Sequence, residues 1–276
     1  LKYPILLAFA LFLYGFFAAD LITPTREFSE FENAYLADRP RFSLEALLER
    51  DQEDRFTTKY EEYVSDQFIL RDEWITVKSI SEWALAKIEN NGILYGDDHY
   101  MFEKYLATDE DRIQKSTGFI QEFMELFPQF EHVTFSLIPN SYEILTDKLP
   151  EGADAHQVDQ LAYMDEVYRQ MAAAGAEIVD FRQTLSDHAQ VYIYYRTDHH
   201  WTTYGAYLAY CELIESLGKT PVPLEEMANP TEVTGFYGTY FSKAKLFNAV
   251  PDVITYYDIP VGQVTVNGQP SEGIYA

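Results

Sequence analysis

The sequence predicts an α/β domain with a mainly parallel sheet, preceded by an N-terminal membrane helix and a helical segment. After Pro128, short apolar runs of strand length alternate with longer runs of helical periodicity. Strands that alternate with helices are joined by crossovers, which favours parallel pairing. Before this part, two runs have helical spacing, and the chain opens on an uncharged apolar stretch.

The composition is that of a folded, strongly acidic protein. Hydrophobic residues make up 47% of the 276 residues, and 45 acidic against 20 basic side chains give a net charge of −25. Such an excess of negative charge repels phosphate backbones and argues against nucleic-acid binding. It also argues against a polybasic membrane patch. The composition suits a domain that works outside the cell.

The N-terminal stretch from Pro4 to Ala19 carries no charge and is slightly shorter than the ~20 residues that span a bilayer. Lys2 precedes it, and the first basic residue after it is Arg26, which places the bulk of the chain outside. Ala18-Ala19 is a poor cleavage site, so we favour a retained single-pass anchor over a signal peptide. We therefore assign residues 1–22 to an anchor or signal segment, 23–55 to a connector and 56–276 to the extracytoplasmic domain.

The first half of the domain is predicted to be mostly helical. Helical spacing runs over 56–68 and 72–88, and Thr108-x-x-Asp111 resembles a capping box that opens a helix to about Phe127. Between them, apolar segments flank Gly96-Asp97-Asp98 and predict a hairpin. These acids and His99 could ligate a metal, but turn chemistry explains them more simply.

The second half alternates strands and helices. Predicted strands cover 132–138, 176–181 and 191–195, and predicted helices cover 158–173 and 204–217, ended by Gly175 and Gly218. The tail is β-rich, with predicted strands over 253–257 and 263–266. Asn267-Gly268 after the last run is a strong hairpin signal.

The motif Asp198-His199-His200-Trp201 lies where the run 191–195 gives way to a helix. In open α/β sheets, ligands and chemistry collect at this edge. An Asp and a His can form an acid–base pair for a serine nucleophile, or both can ligate a metal. A third interpretation is structural, with the histidines satisfied at a helix N-terminus and Trp201 in the core.

The metal interpretation has a specific form, a manganese phosphoesterase with an Asp-His-His motif. Such a site also needs an Asp-x-Asp after a strand, and the comparable spacing here is Asp109-Glu110-Asp111. These acids stand at the start of a predicted helix, where they suit the helix dipole. We expect no metal and no cofactor, and keep the phosphoesterase as a weaker alternative.

The hydrolase interpretation lacks an obvious nucleophile, since the sequence has no G-x-S-x-G elbow and no Asp-Ser dipeptide. The candidate serines are Ser136, Ser141, Ser242 and Ser271. Ser141 follows the first predicted strand and is the best placed. The adjacent Asn140 could donate a hydrogen bond to an oxyanion. Ordinary turn residues after a strand explain both more simply.

The run from Tyr195 to Ala206, including Arg196 and the Asp-His-His-Trp motif, resembles the signature of the bacterial DHHW proteins. These are similar to the alginate O-acetyltransferase group, whose members carry an SGNH-hydrolase-like domain. Further segments that resemble the family are Phe28-Ser29-x-x-Glu32-Asn33, Arg39-Pro40-x-Phe42, Tyr63-x-x-Asp66-Gln67-Phe68-x-x-Arg71-Asp72, Phe236-Tyr237-Gly238-Thr239 and Ser242-Lys243. The resemblance covers most of the chain after the anchor, and it implies a three-layer SGNH-like fold.

The resemblance also implies roles for the motif. Asp198 would orient and His200 would act as general base, with Trp201 as packing support and His199 and Arg196 as secondary residues. The implied reaction is hydrolysis or transfer of an acetyl ester on an acetylated or acetyl-accepting cell-surface glycan. A membrane-bound O-acyltransferase is the implied partner.

In this family the nucleophilic serine follows the Asp-His pair, in an Asp-Ser turn well downstream. Such a turn is absent before Ala276. We therefore expect the sequence to be truncated, and these 276 residues to be inactive as an esterase. The leading alternative is a non-catalytic partner or scaffold in a polysaccharide O-acetylation complex.

Overall fold

The computed structural model describes residues 3–29, 31–32, 34–153, 157–258, 264–266 and 269–271. The α-helices in these stretches are α1 (Pro4–Ile22), α2 (Leu44–Leu47), α3 (Phe56–Asp66), α4 (Arg71–Ala84), α5 (Glu110–Leu126), α6 (Ser141–Ile144), α7 (Gln160–Ala173), α8 (Arg182–Asp187), α9 (Thr203–Ser216) and α10 (Thr239–Ala244). Short 3₁₀ helices cover Asp97–His99, Thr146–Lys148 and Leu224–Glu226. The long helices fall where apolar periodicity predicts them.

The described strands are short. They are β1 (Phe28–Ser29), β2 (Ala34–Tyr35), β3 (Glu89–Asn90), β4 (Ile93–Tyr95), β5 (Met101–Glu103), β6 (Thr134–Phe135), β7 (Glu177–Ile178), β8 (Ala228–Phe236), β9 (Asp252–Asp258), β10 (Val264–Val266) and β11 (Gln269–Ser271). Only β6 and β7 pair in parallel among the described strands, while β1–β2, β3–β4–β5, β8–β9 and β10–β11 are antiparallel. The predicted mainly parallel sheet is therefore not confirmed among the described strands.

The cause of this difference is visible in the run 191–195. This run does not extend the β6–β7 pair, because its backbone bonds to the residues that follow it. Tyr195 N–H donates to the His200 carbonyl at 3.2 Å, and Thr202 N–H donates to the Ile193 carbonyl at 2.8 Å. The predicted strand is thus one side of a tight loop, and its only described β-bridge joins Tyr194 to Trp201.

The described residues form two compact units. One lies within Leu1–Lys87 and Phe241–Ala249, and the other lies within Ile88–Tyr240 and Val250–Ala276. The main hydrophobic cluster belongs to the second unit and includes Phe102, Leu145, Leu185, Ile193 and Tyr194, all of which are almost fully buried. A second cluster in the same unit joins α5, α7, β6 and β7 around Met171.

Helix α1 forms where the apolar N-terminal stretch predicts it. Across the described residues, no helix has the combined length and apolarity that a bilayer crossing requires. The predicted membrane helix is therefore not confirmed.

In the first unit, side chains at the end of α3 and the start of α4 bind the preceding segment. Asp66 accepts the backbone N–H of Ala37 at 2.8 Å. Gln67 pairs with the backbone of Arg26 through two hydrogen bonds of 2.8 and 2.9 Å, and Arg26 also binds Asp72 at 2.7 Å. The polar residues Asp66, Gln67 and Asp72, which belong to a segment that resembles the DHHW proteins, thus bind residues 26 and 37.

The first unit also buries a lysine. Lys245 donates from Nζ to the Phe31 carbonyl at 2.8 Å, and its ammonium group lies over the rings of Phe31 and Phe241. Glu32 approaches it to 3.9 Å. Burial, together with the nearby positive charge of Arg71, lowers the pKa of the Lys245 ammonium group to about 8.

Two turn predictions can be compared directly with the structure. Strands β4 and β5 form the expected hairpin, and Asp98 and His99 adopt left-handed backbone angles within its turn. Helix α5 begins one residue later than the capping-box prediction implies, because Asp109 rather than Thr108 caps it through a 3.0 Å bond from Arg112 N–H. The predicted turn Asn267-Gly268 lies outside the described residues.

Candidate functional site

The motif Asp198-His199-His200-Trp201 occupies the tip and return side of the loop described above. Residues 196–199 form its tip, because Tyr195 N–H bonds to the His200 carbonyl. Thr202 then ends the loop and starts α9, where its hydroxyl accepts the Gly205 N–H at 3.2 Å. The loop closes tightly against α9, since a Cβ atom at Gly205 would lie 2.4 Å from the Ile193 carbonyl oxygen.

Asp198 is buried, with 3% of its surface exposed. Its Oδ1 lies 2.6 Å from Nδ1 of His200 and accepts the His200 backbone N–H at 3.0 Å. Its Oδ2 accepts the Thr239 N–H at the start of α10, at 2.7 Å. Burial alone raises the pKa of this carboxyl, but the hydrogen bonds from Thr239 and His200 outweigh burial and hold the pKa below its usual value.

His200 combines a fixed orientation with an accessible ring. Its Nδ1 is held by Asp198, while 65% of the side chain is exposed. Within the described part of the chain, no residue hydrogen-bonds Nε2 of His200. A histidine that is held at Nδ1 by a buried carboxylate and open at Nε2 has the geometry of a general base.

His199 is held differently. Its Nδ1 lies 2.9 Å from the Thr239 hydroxyl and 3.4 Å from Asp198 Oδ1, and its ring stacks against His200 with centroids 3.8 Å apart. One ligand atom from each of Asp198, His199 and His200 can be chosen so that all lie within 4.8 Å. These residues could therefore hold a metal ion. Asp198 Oδ1 and His200 Nδ1, however, already bind each other.

Gly238 is required by the close approach of the 238–239 backbone to Asp198. A Cβ atom at this position would lie 2.3 Å from Asp198 Cβ and 2.4 Å from Oδ2. Gly238 also donates its N–H to the Thr197 hydroxyl at 3.0 Å. The segment resembling the DHHW proteins at 236–239 thus supplies a hydrogen bond to the motif, a role that its sequence does not reveal.

Asn140 and Ser141 lie at the start of α6, and their polar groups bind protein partners. The Asn140 amide donates to the hydroxyls of Tyr105 and Tyr240 at 3.1 and 3.4 Å. The Ser141 hydroxyl donates to Asn140 Oδ1 at 3.4 Å, and the residue is fully buried. In this arrangement Asn140 caps α6 by accepting the Tyr142 N–H at 3.0 Å.

Trp201 and Arg196 flank Asp198 and His200 in the sequence. Trp201 packs against the main hydrophobic cluster, with its ring 6.3 Å from that of Phe181. The Arg196 guanidinium lies over the rings of Tyr192 and Tyr100, at 4.6 and 5.5 Å from their centroids.

The acids of the phosphoesterase hypothesis do not form a site with the motif. Asp109 caps α5, and Glu110 and Asp111 occupy its first turn. Among the described residues, the cluster suited to a metal contains only Asp198, His199 and His200. All three acids lie at the N-terminus of α5, as their sequence position suggests, and their negative charges suit the helix dipole there.

A family model for the SGNH hydrolase-like domain of acetyltransferase AlgX matches residues 93–251, which is more than half of the 276 residues. The chain belongs to this family. The matched range contains the motif and the 236–239 segment. A search of the curated proteins finds no match to this chain.

Solved structures include similar chains. A DHHW family protein from Eubacterium siraeum is 25% identical with a TM-score of 0.50, and the match covers 62% of this chain and 55% of that one. The O-acetyltransferase domain of AlgJ from Pseudomonas putida is 20% identical over 59% and 63% of the two chains, with a TM-score of 0.44. AlgX from Pseudomonas aeruginosa is 18% identical over 62% and 44%, also at 0.44. This chain therefore spans about half the length of the structures that it matches.

Proposed function

We propose that Asp198 and His200 are the acid–base pair of an acetyl-ester hydrolase or O-acetyltransferase that acts on a cell-surface polysaccharide. The observation that carries the proposal is the 2.6 Å contact between a buried carboxylate and a histidine whose other ring nitrogen is open. Family membership supports the reaction class. The acidic composition supports a site outside the cytoplasm.

In the proposed reaction, Nε2 of His200 takes the proton of a serine hydroxyl as its oxygen attacks the acetyl carbonyl carbon. Asp198 accepts Nδ1–H and stabilises the imidazolium that forms. Since the pKa of Asp198 lies below its usual value, the carboxylate stays ionised during this step. Nε2–H then protonates the leaving alcohol, and an acetyl-serine remains.

The second half of the reaction uses the same nitrogen. A water molecule or a glycan hydroxyl attacks the acetyl-serine, and His200 Nε2 takes its proton. The bond between the acetyl carbon and the serine oxygen then breaks, and Nε2–H returns the proton to that oxygen. Water yields acetate, and a glycan hydroxyl yields a new acetyl ester. In the transfer reaction, the acetyl group must reach a site outside the cytoplasm. We propose that a membrane-bound O-acyltransferase supplies it there.

The proposed nucleophile is a serine in a part of the protein outside residues 1–276. Two observations support this. Nε2 of His200 has no hydrogen bond from any described serine, and Ser141 is fully buried with its hydroxyl on Asn140. Labelling the full-length protein with a sulfonyl fluoride and mapping the modified serine tests this. A modified Ser141 or Ser242 would overturn it.

The matched pair His200→Ala and His199→Ala tests the proposed base in the full-length protein. With an acetylated glycan and a chromogenic acetyl ester, we expect His200→Ala to lower kcat by about 10³-fold or more, while His199→Ala lowers it by less than about 10-fold. Equal turnover in wild type and His200→Ala would refute the proposed base, whereas no turnover in the full-length wild type would favour the scaffold alternative.

The phosphoesterase remains a second candidate because the Asp198–His199–His200 cluster is compact enough for a metal. A metal site requires both imidazoles, so His199→Ala and His200→Ala would then be equally damaging. Metal analysis of the purified full-length protein decides between the two hypotheses. Stoichiometric manganese together with phosphodiester hydrolysis would favour the phosphoesterase.

A further inference from the structure

Asp252, the first residue of β9, is a fully buried carboxylate that faces only hydrogen-bond donors from one segment. Its Oδ1 accepts the Arg196 N–H at 2.8 Å and the hydroxyl of Tyr192. Its Oδ2 accepts both the N–H and the hydroxyl of Thr197, at 2.8 and 2.5 Å. All four donors precede Asp198 by one to six residues.

These partners engage both oxygens of Asp252 as hydrogen-bond acceptors. Burial and the bond to Asp252 raise the pKa of the Tyr192 hydroxyl, which therefore remains a donor. The guanidinium of Arg196 contributes no hydrogen bond, since its Nη1 is 3.9 Å away. The hydrogen bonds to Asp252 thus come from the backbone and hydroxyl groups of this one segment.

Thr197 extends the contact from Asp252 to the segment beside Asp198. Its hydroxyl donates to Asp252 and accepts the Gly238 N–H at 3.0 Å. Its carbonyl accepts the Tyr240 N–H at 2.9 Å. Thr239, which lies between Gly238 and Tyr240, donates its N–H to Asp198. One buried carboxylate therefore fixes both the segment before Asp198 and, through Thr197, the backbone that binds Asp198.

We propose that Asp252 is a positioning residue that holds Asp198 in place to orient His200. The effect of Asp252 on catalysis rests on the proposed function, whereas its effect on the positions of Asp198 and His200 does not depend on the reaction. A buried, fully satisfied polar network rigidifies the groups it joins. Removing one acceptor oxygen leaves buried N–H groups without a partner, so the loop must shift.

The test measures the tautomer of His200 in the full-length protein by long-range ¹H–¹⁵N correlation, with His200→Gln to assign the signal. Wild type is expected to hold the Nδ1–H form because Asp198 accepts that proton. Asp252→Asn, which is isosteric but turns one oxygen into a donor, is expected to shift His200 toward the Nε2–H form. The same variant should lower kcat by about 10- to 100-fold with little change in KM.

A matched pair at Thr197 keeps the test informative if Asp252→Asn fails to fold. Thr197→Ser keeps the hydroxyl and should retain the wild-type tautomer and kcat. Thr197→Val keeps the shape, loses the hydroxyl, and should behave like Asp252→Asn. Met171→Ala, in the separate α5–α7 cluster, controls for general destabilisation and should leave the tautomer unchanged.

The inference is overturned if Asp252→Asn, or Thr197→Val in its place, keeps the wild-type His200 tautomer. It is also overturned if Met171→Ala shifts the tautomer equally. The failure of the proposed function is a distinct outcome, in which His200→Ala retains full turnover. The tautomer measurement does not depend on turnover, so each result bears on one of the two statements.

Discussion

Replacing Gly238 by alanine should break the support of Asp198. The new Cβ would lie 2.3 Å from Asp198 Cβ, whereas carbon atoms in contact are about 3.5–4.0 Å apart. The 238–239 backbone must therefore retreat by roughly 1 Å or more. The Thr239 N–H to Asp198 Oδ2 bond, now 2.7 Å, would then exceed hydrogen-bonding distance.

The expected cost combines two effects. Overpacking costs about 1–3 kcal/mol. Loss of a hydrogen bond to a charged group costs about 1.5–3 kcal/mol. Together they predict that the free energy of unfolding falls by about 2.5–6 kcal/mol. At about 2–4 °C per kcal/mol, Tm should fall by roughly 5–24 °C. A displacement of this size should also lower kcat by about 10²-fold.

Gly118→Ala is the matched control. Gly118 lies inside α5, where an added Cβ meets no atom within 4 Å, so alanine should stabilise the protein by about 0.5–1 kcal/mol. Thermal unfolding and acetyl-ester turnover of the full-length variants provide the measurements. A Gly238→Ala variant that unfolds within 1 °C of wild type and retains its kcat would contradict the expected loss of the Thr239–Asp198 bond.

Three further outcomes follow from named contacts. Because the pKa of Asp198 is depressed, its ionised form stabilises the fold above the unfolded pKa of ~3.9. This contribution is lost as the pH falls through the lower folded pKa. The unfolding free energies of wild type and Asp198→Asn, measured by urea titration, should therefore converge below about pH 4. Asp109→Ala should cost about 0.5–2 kcal/mol by removing the α5 cap, while Thr108→Ala should be nearly neutral; equal costs in thermal unfolding would place the cap elsewhere. Since Lys245 has a folded pKa of about 8, below its unfolded value of 10.5, the unfolded chain binds more protons between these values and stability should rise with pH there. Lys245→Met should lose that rise, and an unchanged slope would contradict the burial argument.

The long helices and the position of the motif could be predicted from local patterns. Apolar spacing located α4, α7 and α9, and Gly175 and Gly218 have the left-handed angles expected of residues that end helices. The family could likewise be recognised because the residues around Asp198 are adjacent in sequence. These features depend on short-range information, which the sequence displays directly.

The strand pairing and the support of the site could not be predicted in the same way. The run 191–195 has the composition of a buried strand, yet hydrogen bonds across the Asp198 loop determine its conformation. Thr239 and Asp252 are 41 and 54 residues after Asp198. Thr239 lies in a segment that resembles the family, but neither residue has a spacing that predicts its contact with the motif loop. Such contacts depend on tertiary packing, which overrides local propensity.

The dependence of Asp198 on distant segments has a consequence for folding kinetics. The loop at 196–200 becomes fixed only after chain segments 41 and 55 residues away have closed onto it. Such closures are entropically costly and slow relative to local helix formation. During synthesis, the motif therefore leaves the ribosome well before the residues that hold it, and α9 can form while the Asp198–His200 pair is still unassembled.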